Sequence, residues 1–73
     1  METAEQVFVN EPLLVLEDER HRGQEARFHA LSHTDAGRLL HVTFTLRHND
    51  TMIRVISARP MHRKERLRYE KET

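Results

Sequence analysis

The chain has 73 residues, of which 37% are apolar and 33% charged, and it contains no cysteine. This length accommodates a single domain with a small core, expected over residues 1–73. The absence of cysteine excludes a disulfide framework and a thiolate metal site.

The acidic and basic residues are unevenly distributed, although the net charge is zero. Residues 1–35 hold eight acidic and three basic residues, a net charge of −5, whereas residues 36–73 hold nine basic and four acidic residues, a net charge of +5. This asymmetry suggests nucleic acid or an acidic protein as partner. The alternative is a solvated basic helix with no partner.

Neither a membrane span nor a signal peptide is visible in the sequence. No apolar run approaches the ~20 residues that cross a bilayer, and the acidic start METAEQVFVNEP lacks a basic flank and an apolar stretch. We therefore expect a cytoplasmic protein that has no membrane partner.

The N-terminal third predicts a helix, a strand and a loop. Thr3 and Gln6 have capping-box spacing, which predicts a short helix over about residues 4–9. The apolar run at residues 13–16 predicts a buried strand. The polar stretch at residues 17–24 contains Gly23 and predicts a loop.

The middle of the chain predicts a hairpin. Residues 26–33 alternate weakly, residues 34–37 have the composition of a tight turn, and residues 39–47 are the clearest strand. One face of this strand is apolar and the other polar: Leu40, Val42, Phe44 and Leu46 against His41, Thr43, Thr45 and Arg47.

The last third predicts another turn, a strand and a basic helix. Residues 48–51 resemble a turn, and residues 52–59 are apolar on both faces apart from Arg54, which favours a central place in the sheet. Pro60 suits the first position of a helix over residues 61–72. The apolar residues of this helix do not form one stripe, so we expect it to be weakly held in the monomer.

These elements define an α+β class. The prediction is a small antiparallel sheet of about four strands, with a short N-terminal helix and a basic C-terminal helix.

Three groups of residues carry a resemblance to a known family. They are V-F-V-N-E-P-L at residues 7–13, E-A-R-F with D-A-G-R-L-L at residues 25–28 and 35–40, and I-R-V-I-S-A-R, R-K-E-R and Y-E at residues 53–59, 63–66 and 69–70. In this order and spacing they resemble the BrnT family of toxins over about residues 2–70.

The resemblance implies a RelE-like fold and a ribonuclease toxin of a bacterial type II toxin–antitoxin system. It implies RNA as substrate and, as partner, a BrnA-like ribbon-helix-helix antitoxin that neutralises the toxin. Family members usually open with a segment such as W-D-x-x-K-x-x-x-N-x-x-K-H-G-V. The chain starts after it and is expected to be a member without the usual N-terminal segment. Whether it forms a homodimer or a toxin–antitoxin hetero-oligomer stays open.

RNA cleavage without a metal needs a base, an acid and cations that stabilise the charged phosphorane. If the polar faces of the strands coincide, Arg27, His41 and Arg54 cluster on one surface, and we predict them as catalytic residues. Arg59, at the strand-to-helix junction, is the fourth. Alternatives are a solvated sheet face or one covered by a missing helix and, for Arg59, an ion pair with an acid such as Glu65 or Glu25.

Three residues of the last helix, Arg63, Lys64 and Arg66, are predicted to bind RNA, and a solvated helix surface is the alternative. Tyr69 is predicted to be a packing anchor. No metal or other cofactor is expected: His29 and His33 are four residues apart on a strand, about 13 Å, too far for one zinc ion.

Two other functions stay open. One is a shortened, non-catalytic module that binds a partner protein. The other is nucleic-acid binding without cleavage.

Overall fold

The computed structural model describes residues 4–18, 26–47 and 52–72. It contains a 3-10 helix (Ala4–Phe8), strands β1 (Leu14–Asp18), β2 (Arg27–His33), β3 (Leu39–Arg47) and β4 (Met52–Pro60), and helix α1 (Arg63–Lys71). The strands form one antiparallel sheet in the order β1-β2-β3-β4. The predicted α+β class and sheet are confirmed.

The 3-10 helix packs on one side of the sheet, which we call the core face. Val7 is fully buried there against Ala30 and Val42. Phe8 meets Phe44 edge-to-face with ring centroids 5.1 Å apart. The predicted N-terminal helix is therefore present but ends one residue earlier, whereas its predicted cap, Thr3, lies outside the described residues.

The opposite side of the sheet, the α1 face, is only partly covered. Leu31 packs there with Met61 and Tyr69, which are 7% and 3% exposed. The phenol of Tyr69 donates a 2.6 Å hydrogen bond to the Pro12 carbonyl oxygen. It accepts one of 2.9 Å from His33 Nδ1. Tyr69 thus holds α1 against the sheet by packing and by hydrogen bonds.

Strand β4 lies at the edge of the sheet, so its predicted central position is wrong. The strands follow one another as neighbours in chain order, which leaves the last one at the border. Its apolar side chains are consequently open to solvent: Met52, Ile53, Val55 and Ile56 are 38–56% exposed. In β4, apolar residues on both faces therefore belong to an exposed edge strand and not to a covered central one.

A β-bulge interrupts the pairing of β3 with β4. Thr43 pairs with Ser57 and Phe44 with Val55, so Ile56 is the extra residue. Side chains on a strand alternate between faces, and a one-residue insertion reverses the alternation beyond it. The bulge therefore brings Arg54 and Arg59, five residues apart, to the same α1 face.

Helix α1 begins later than predicted. Pro60 still pairs with Leu40 as the last residue of β4, and the Met61 N–H donates to the Leu39 carbonyl oxygen at 3.1 Å. Because this pairing keeps the backbone extended, the prediction of Pro60 as the first helical residue is wrong. His62 has the extended conformation of an N-cap residue, and its N–H donates to the Glu65 carboxylate at 2.8 Å.

The turn between β2 and β3 is confirmed. The Gly37 N–H donates to the Thr34 carbonyl oxygen at 2.9 Å, and Gly37 has φ +87°, a backbone conformation that favours glycine. Of the predicted loop at residues 17–24, the first two residues belong to β1 and the rest lie outside the described residues, as does the turn at 48–51. No helix within the described ranges is long and apolar enough to cross a membrane.

Candidate active site

Strand register arranges the α1 face in rows of paired residues. In the row nearer to α1, His41 pairs with Leu31 on β2 and with Arg59 on β4. In the next row, His29 pairs with Thr43. At the far end, Thr45 pairs with both Arg27 and Arg54. His41 and Thr45 are four residues apart on β3, a distance of about 13 Å.

Side chains from several of these rows and from α1 interact in a group that we call the histidine cluster: Asp18, His29, His41, Arg59 and Glu65. His29 Nε2 lies 3.1 Å from Asp18 Oδ2, and His29 Nδ1 lies 2.9 Å from His41 Nε2. The two imidazole rings meet edge-to-face with centroids 4.9 Å apart. The cluster thus joins β1, β2, β3, β4 and the first turn of α1.

On its other side, His41 contacts an ion pair. Its Nδ1 lies 2.6 Å from Glu65 Oε2 and 2.7 Å from an Arg59 NH2 nitrogen. Arg59 donates to both oxygens of Glu65, at 2.9 and 3.0 Å. This is the ion pair that the sequence left open as the alternative role of Arg59.

Two proton arrangements each satisfy part of this geometry, because His41 Nδ1 cannot accept from Arg59 and donate to Glu65 at the same time. With both imidazoles neutral, Arg59 donates to His41 Nδ1, His41 Nε2–H donates to His29 Nδ1, and His29 Nε2–H donates to Asp18. With a proton added at His41 Nδ1, that nitrogen donates to Glu65 instead, and Arg59 loses His41 as an acceptor but keeps the two Glu65 oxygens. Arg59 and a proton therefore compete for one nitrogen of His41.

The Glu65 carboxyl has a strongly lowered pKa. Burial alone raises this pKa, but hydrogen bonds from Arg59, from the His62 N–H and from His41 outweigh burial and lower it from 4.5 to about 2. Glu65 is therefore a carboxylate at every physiological pH.

The pKa of His41 is lowered below its usual 6.5. Burial is the largest cause, and electrostatic interactions with Arg59 and His29 act in the same direction. Glu65 opposes them through its hydrogen bond and its charge. His41 is consequently mostly neutral at neutral pH, which is the form of an imidazole that accepts a proton.

An open groove of about 310 Å³ runs along the histidine cluster. Its lining combines apolar and charged side chains: Leu16, His29, Leu31, His41, Lys64, Glu65 and Arg68. The groove gives a ligand access to the imidazole rings from the side of α1.

A second cavity of about 280 Å³ lies at the far end of the α1 face. It is lined by Arg27, Thr45, Arg54, Val55 and Ile56. Thr45 is 2% exposed, and its Oγ1 is buried with no hydrogen-bond partner among the described residues.

The four predicted catalytic residues share one face but fall into two pairs. His41 and Arg59 are in direct contact, and Arg27 and Arg54 flank Thr45 at the other end. Arg27, His41 and Arg54 thus share the predicted surface, but about 13 Å of strand separates the row of His41 from the row of Arg27 and Arg54. Their catalytic roles stay predictions.

The predicted RNA-binding residues on α1 are spread around the helix. Arg63, Lys64 and Arg66 are all exposed. Lys64 lines the groove of the histidine cluster, whereas Arg66 lines a different cavity beside Pro60 and Met61. Lys64 and Arg66 therefore border different cavities, and the RNA-binding role of the three residues stays a prediction.

Sequence reasoning missed three members of the cluster as site residues. In the sequence His29 is considered only as a zinc ligand, Asp18 falls in the predicted loop, and Glu65 is considered only as a partner of Arg59. The i, i+2 alternation from Arg27 pointed to His29. In the part of the chain that the structure describes, no group of three or more His, Cys, Asp or Glu side chains could hold a metal ion.

The fold and the site define a small α+β protein with an acid–base and cationic cluster on one face of an antiparallel sheet. Residues 1–65 match the family described as "Ribonuclease toxin, BrnT, of type II toxin-antitoxin system". The chain belongs to the BrnT family of ribonuclease toxins, and the resemblance seen in the sequence is confirmed. Comparison with curated proteins and with solved structures gives no match.

Proposed function

We propose that the chain is a cytoplasmic toxin that cleaves RNA without a metal ion at the histidine cluster, and that a ribbon-helix-helix antitoxin neutralises it. The observation that carries the proposal is the contact of His41 with both Arg59 and Glu65. It combines a neutral imidazole, a guanidinium and a carboxylate beside an open groove.

The first step is recruitment of the scissile phosphate by Arg59. The Arg59 side chain is 39% exposed, so it can reach a ligand, and a guanidinium binds phosphate oxygens in a bidentate manner. As Arg59 turns to the phosphate, it leaves Nδ1 of His41. That nitrogen then has a free lone pair.

The second step is attack by the ribose 2′-hydroxyl. His41 Nδ1 takes the hydroxyl proton, the 2′ oxygen forms a bond to phosphorus, and the bond to the 5′ oxygen breaks. The leaving 5′ oxygen takes a proton from water, and His41 later releases its own proton to solvent. The products are a 2′,3′-cyclic phosphate and a 5′-hydroxyl.

Glu65 and His29 support the imidazolium that forms. Glu65 Oε2, at 2.6 Å, accepts the new Nδ1–H. His29 accepts from His41 Nε2, and Asp18 in turn accepts from His29. Arg59 stabilises the charge of the phosphorane, which is the role otherwise taken by a metal cation.

A second candidate, a non-catalytic partner-binding module, is favoured by one observation. Both ring nitrogens of His41 already have protein partners, and Arg59 is fully engaged by Glu65. In this reading the cluster is a structural network that ties α1 to the sheet.

RNA cleavage in the presence of a chelator separates the two candidates. The purified chain is incubated with a single-stranded RNA in EDTA, beside a His41→Gln variant and an Arg54/Arg59 double-alanine variant. Cleavage to 2′,3′-cyclic phosphate ends by the wild type, with a loss of at least a hundredfold in His41→Gln, is the expected result.

Lys71→Ala is the matched control, because Lys71 is an exposed cation in the last turn of α1 and away from both cavities. Equal RNA decay by all four proteins would contradict the proposal and indicate a contaminating nuclease. Cleavage that chelator abolishes would contradict metal independence. Co-expression with a neighbouring ribbon-helix-helix gene tests the antitoxin, and failure to co-purify would contradict that part.

A further inference from the structure

We propose that Arg27, Thr45 and Arg54 form a second phosphate subsite, which holds a nucleotide of the RNA away from the scissile bond. This inference rests on the proposed function, because it assigns a further part of the same substrate to the same sheet face. Its ligand is a nucleoside phosphate unit within a single-stranded RNA.

The first argument is the charge of the cavity. Arg27 and Arg54 come from the two strands on either side of β3, and both residues line one cavity of about 280 Å³. Neither forms an ion pair with any carboxylate of the described residues. Asp18 is the cross-strand neighbour of Arg27, but its Oδ2 is engaged by His29.

The second argument is the unsatisfied hydroxyl between them. Thr45 lies between the two arginines in the same row of the sheet, and its buried Oγ1 has no hydrogen-bond partner within the described ranges. Leaving a buried hydroxyl unpaired destabilises a fold, so such a group requires an explanation. A phosphate oxygen that enters between the guanidinium groups supplies the missing partner.

The third argument separates a nucleotide from a free anion. Ile56, the bulge residue, also lines this cavity and is 44% exposed, so it adds apolar surface beside the two arginines. Apolar surface beside two cations suits a ribose or a base next to its phosphate. The distance of about 13 Å from Thr45 to His41 along β3 places this unit on a different phosphodiester from the one that is cleaved.

The test measures binding of a 2′-O-methyl RNA oligonucleotide, which lacks the attacking hydroxyl, by fluorescence anisotropy. We expect Arg27→Ala and Arg54→Ala each to weaken binding by roughly tenfold, the loss of one charge-assisted contact. Each should also lower the salt dependence of the binding constant by about one phosphate contact. The control Lys71→Ala should change binding less than twofold.

Thr45→Val distinguishes a ligand role from a structural one. It removes the unpaired hydroxyl and keeps the side-chain shape, so we expect a higher midpoint of thermal unfolding together with weaker RNA binding. A purely structural residue would move both quantities in the same direction. Binding equal to wild type in Thr45→Val would overturn the three-residue subsite.

Neutral methylphosphonate linkages, placed at one position of the oligonucleotide at a time, locate the contact. One position should weaken binding to the wild type but not to Arg54→Ala. The subsite is refuted if both arginine variants behave like the Lys71→Ala control, or if every methylphosphonate penalty is the same in wild type and variant.

The two proposals fail separately in these experiments. Subsite-dependent binding by a wild-type protein that leaves ordinary RNA intact would remove the cleavage proposal and keep the subsite. Cleavage that needs His41, with unchanged binding in Arg27→Ala and Arg54→Ala, would do the reverse.

Discussion

Replacing Glu65 by glutamine removes the carboxylate that joins α1 to β3 and β4. Its side chain is 21% exposed and receives hydrogen bonds from Arg59, His41 and the His62 N–H. Glutamine keeps the shape of the side chain but not its charge. The substitution therefore tests the electrostatic contribution of the cluster to folding.

The size of the effect follows from the pKa of Glu65. A lowering from 4.5 to about 2, at about 1.4 kcal/mol per pH unit, sets an upper bound of about 3 kcal/mol. Solvent screens the pair because the Arg59 side chain is 39% exposed. We therefore expect a loss of about 1 to 2 kcal/mol in the free energy of unfolding at pH 7.

Urea unfolding followed by circular dichroism measures this difference, with Glu17→Gln, an exposed acid on β1, as control. Because the folded-state pKa is depressed, the stabilisation is present above pH 4.5 and is lost as the pH falls toward 2. The difference between wild type and Glu65→Gln should therefore shrink between pH 4.5 and pH 3. A difference below about 0.3 kcal/mol at pH 7, or one that grows on acidification, would refute the reasoning.

Three other predictions concern single side chains. In a proton NMR titration, Arg59→Gln should raise the pKa of His41 and Glu65→Gln should lower it, because the two partners act in opposite directions; shifts of the same sign would contradict the assignment. Tyr69→Phe should lower the free energy of unfolding by about 1 to 2 kcal/mol in urea melts, since a buried hydrogen bond to a main-chain carbonyl is lost. Gly37→Ala should lower the free energy of unfolding by about 1 kcal/mol in the same urea melts, because the φ of Gly37 is +87°. The loss comes from the backbone alone, since no atom lies within 4 Å of the added methyl group. An unchanged free energy of unfolding would mean that the turn adopts another conformation.

Local patterns in the sequence predicted the strands well. The alternation over residues 39–47 defined β3 and its apolar face, and Asp35 to Gly37 defined the turn before it. The position of β4 in the sheet was predicted wrongly. Apolar side chains on both faces of a strand occur in covered central strands and also in exposed edge strands. Only the order of the strands in space separates these cases.

The candidate site was harder to predict because it depends on register. Arg54 and Arg59 are five residues apart, so regular alternation along a strand would put them on opposite faces. Only the bulge at Ile56 puts them on the same face. The contact of Glu65 with His41 depends on where α1 begins, and the extended pairing of Pro60 fixes that start. Neither the bulge nor the late helix start has a local sequence signal as clear as that of the Gly37 turn.

The position of β4 at the edge of the sheet suggests how a polypeptide could inhibit this protein. Within the described residues no strand pairs with its outer side, so this strand offers main-chain N–H and C=O groups along nine residues. A polypeptide hydrogen-bonded there would run about 4.8 Å from the main chain that carries Arg54 and Arg59. Such an inhibitor would lie beside the cavity that Arg54, Val55 and Ile56 line. A chain without it exposes an unpaired edge strand, a feature that promotes aggregation.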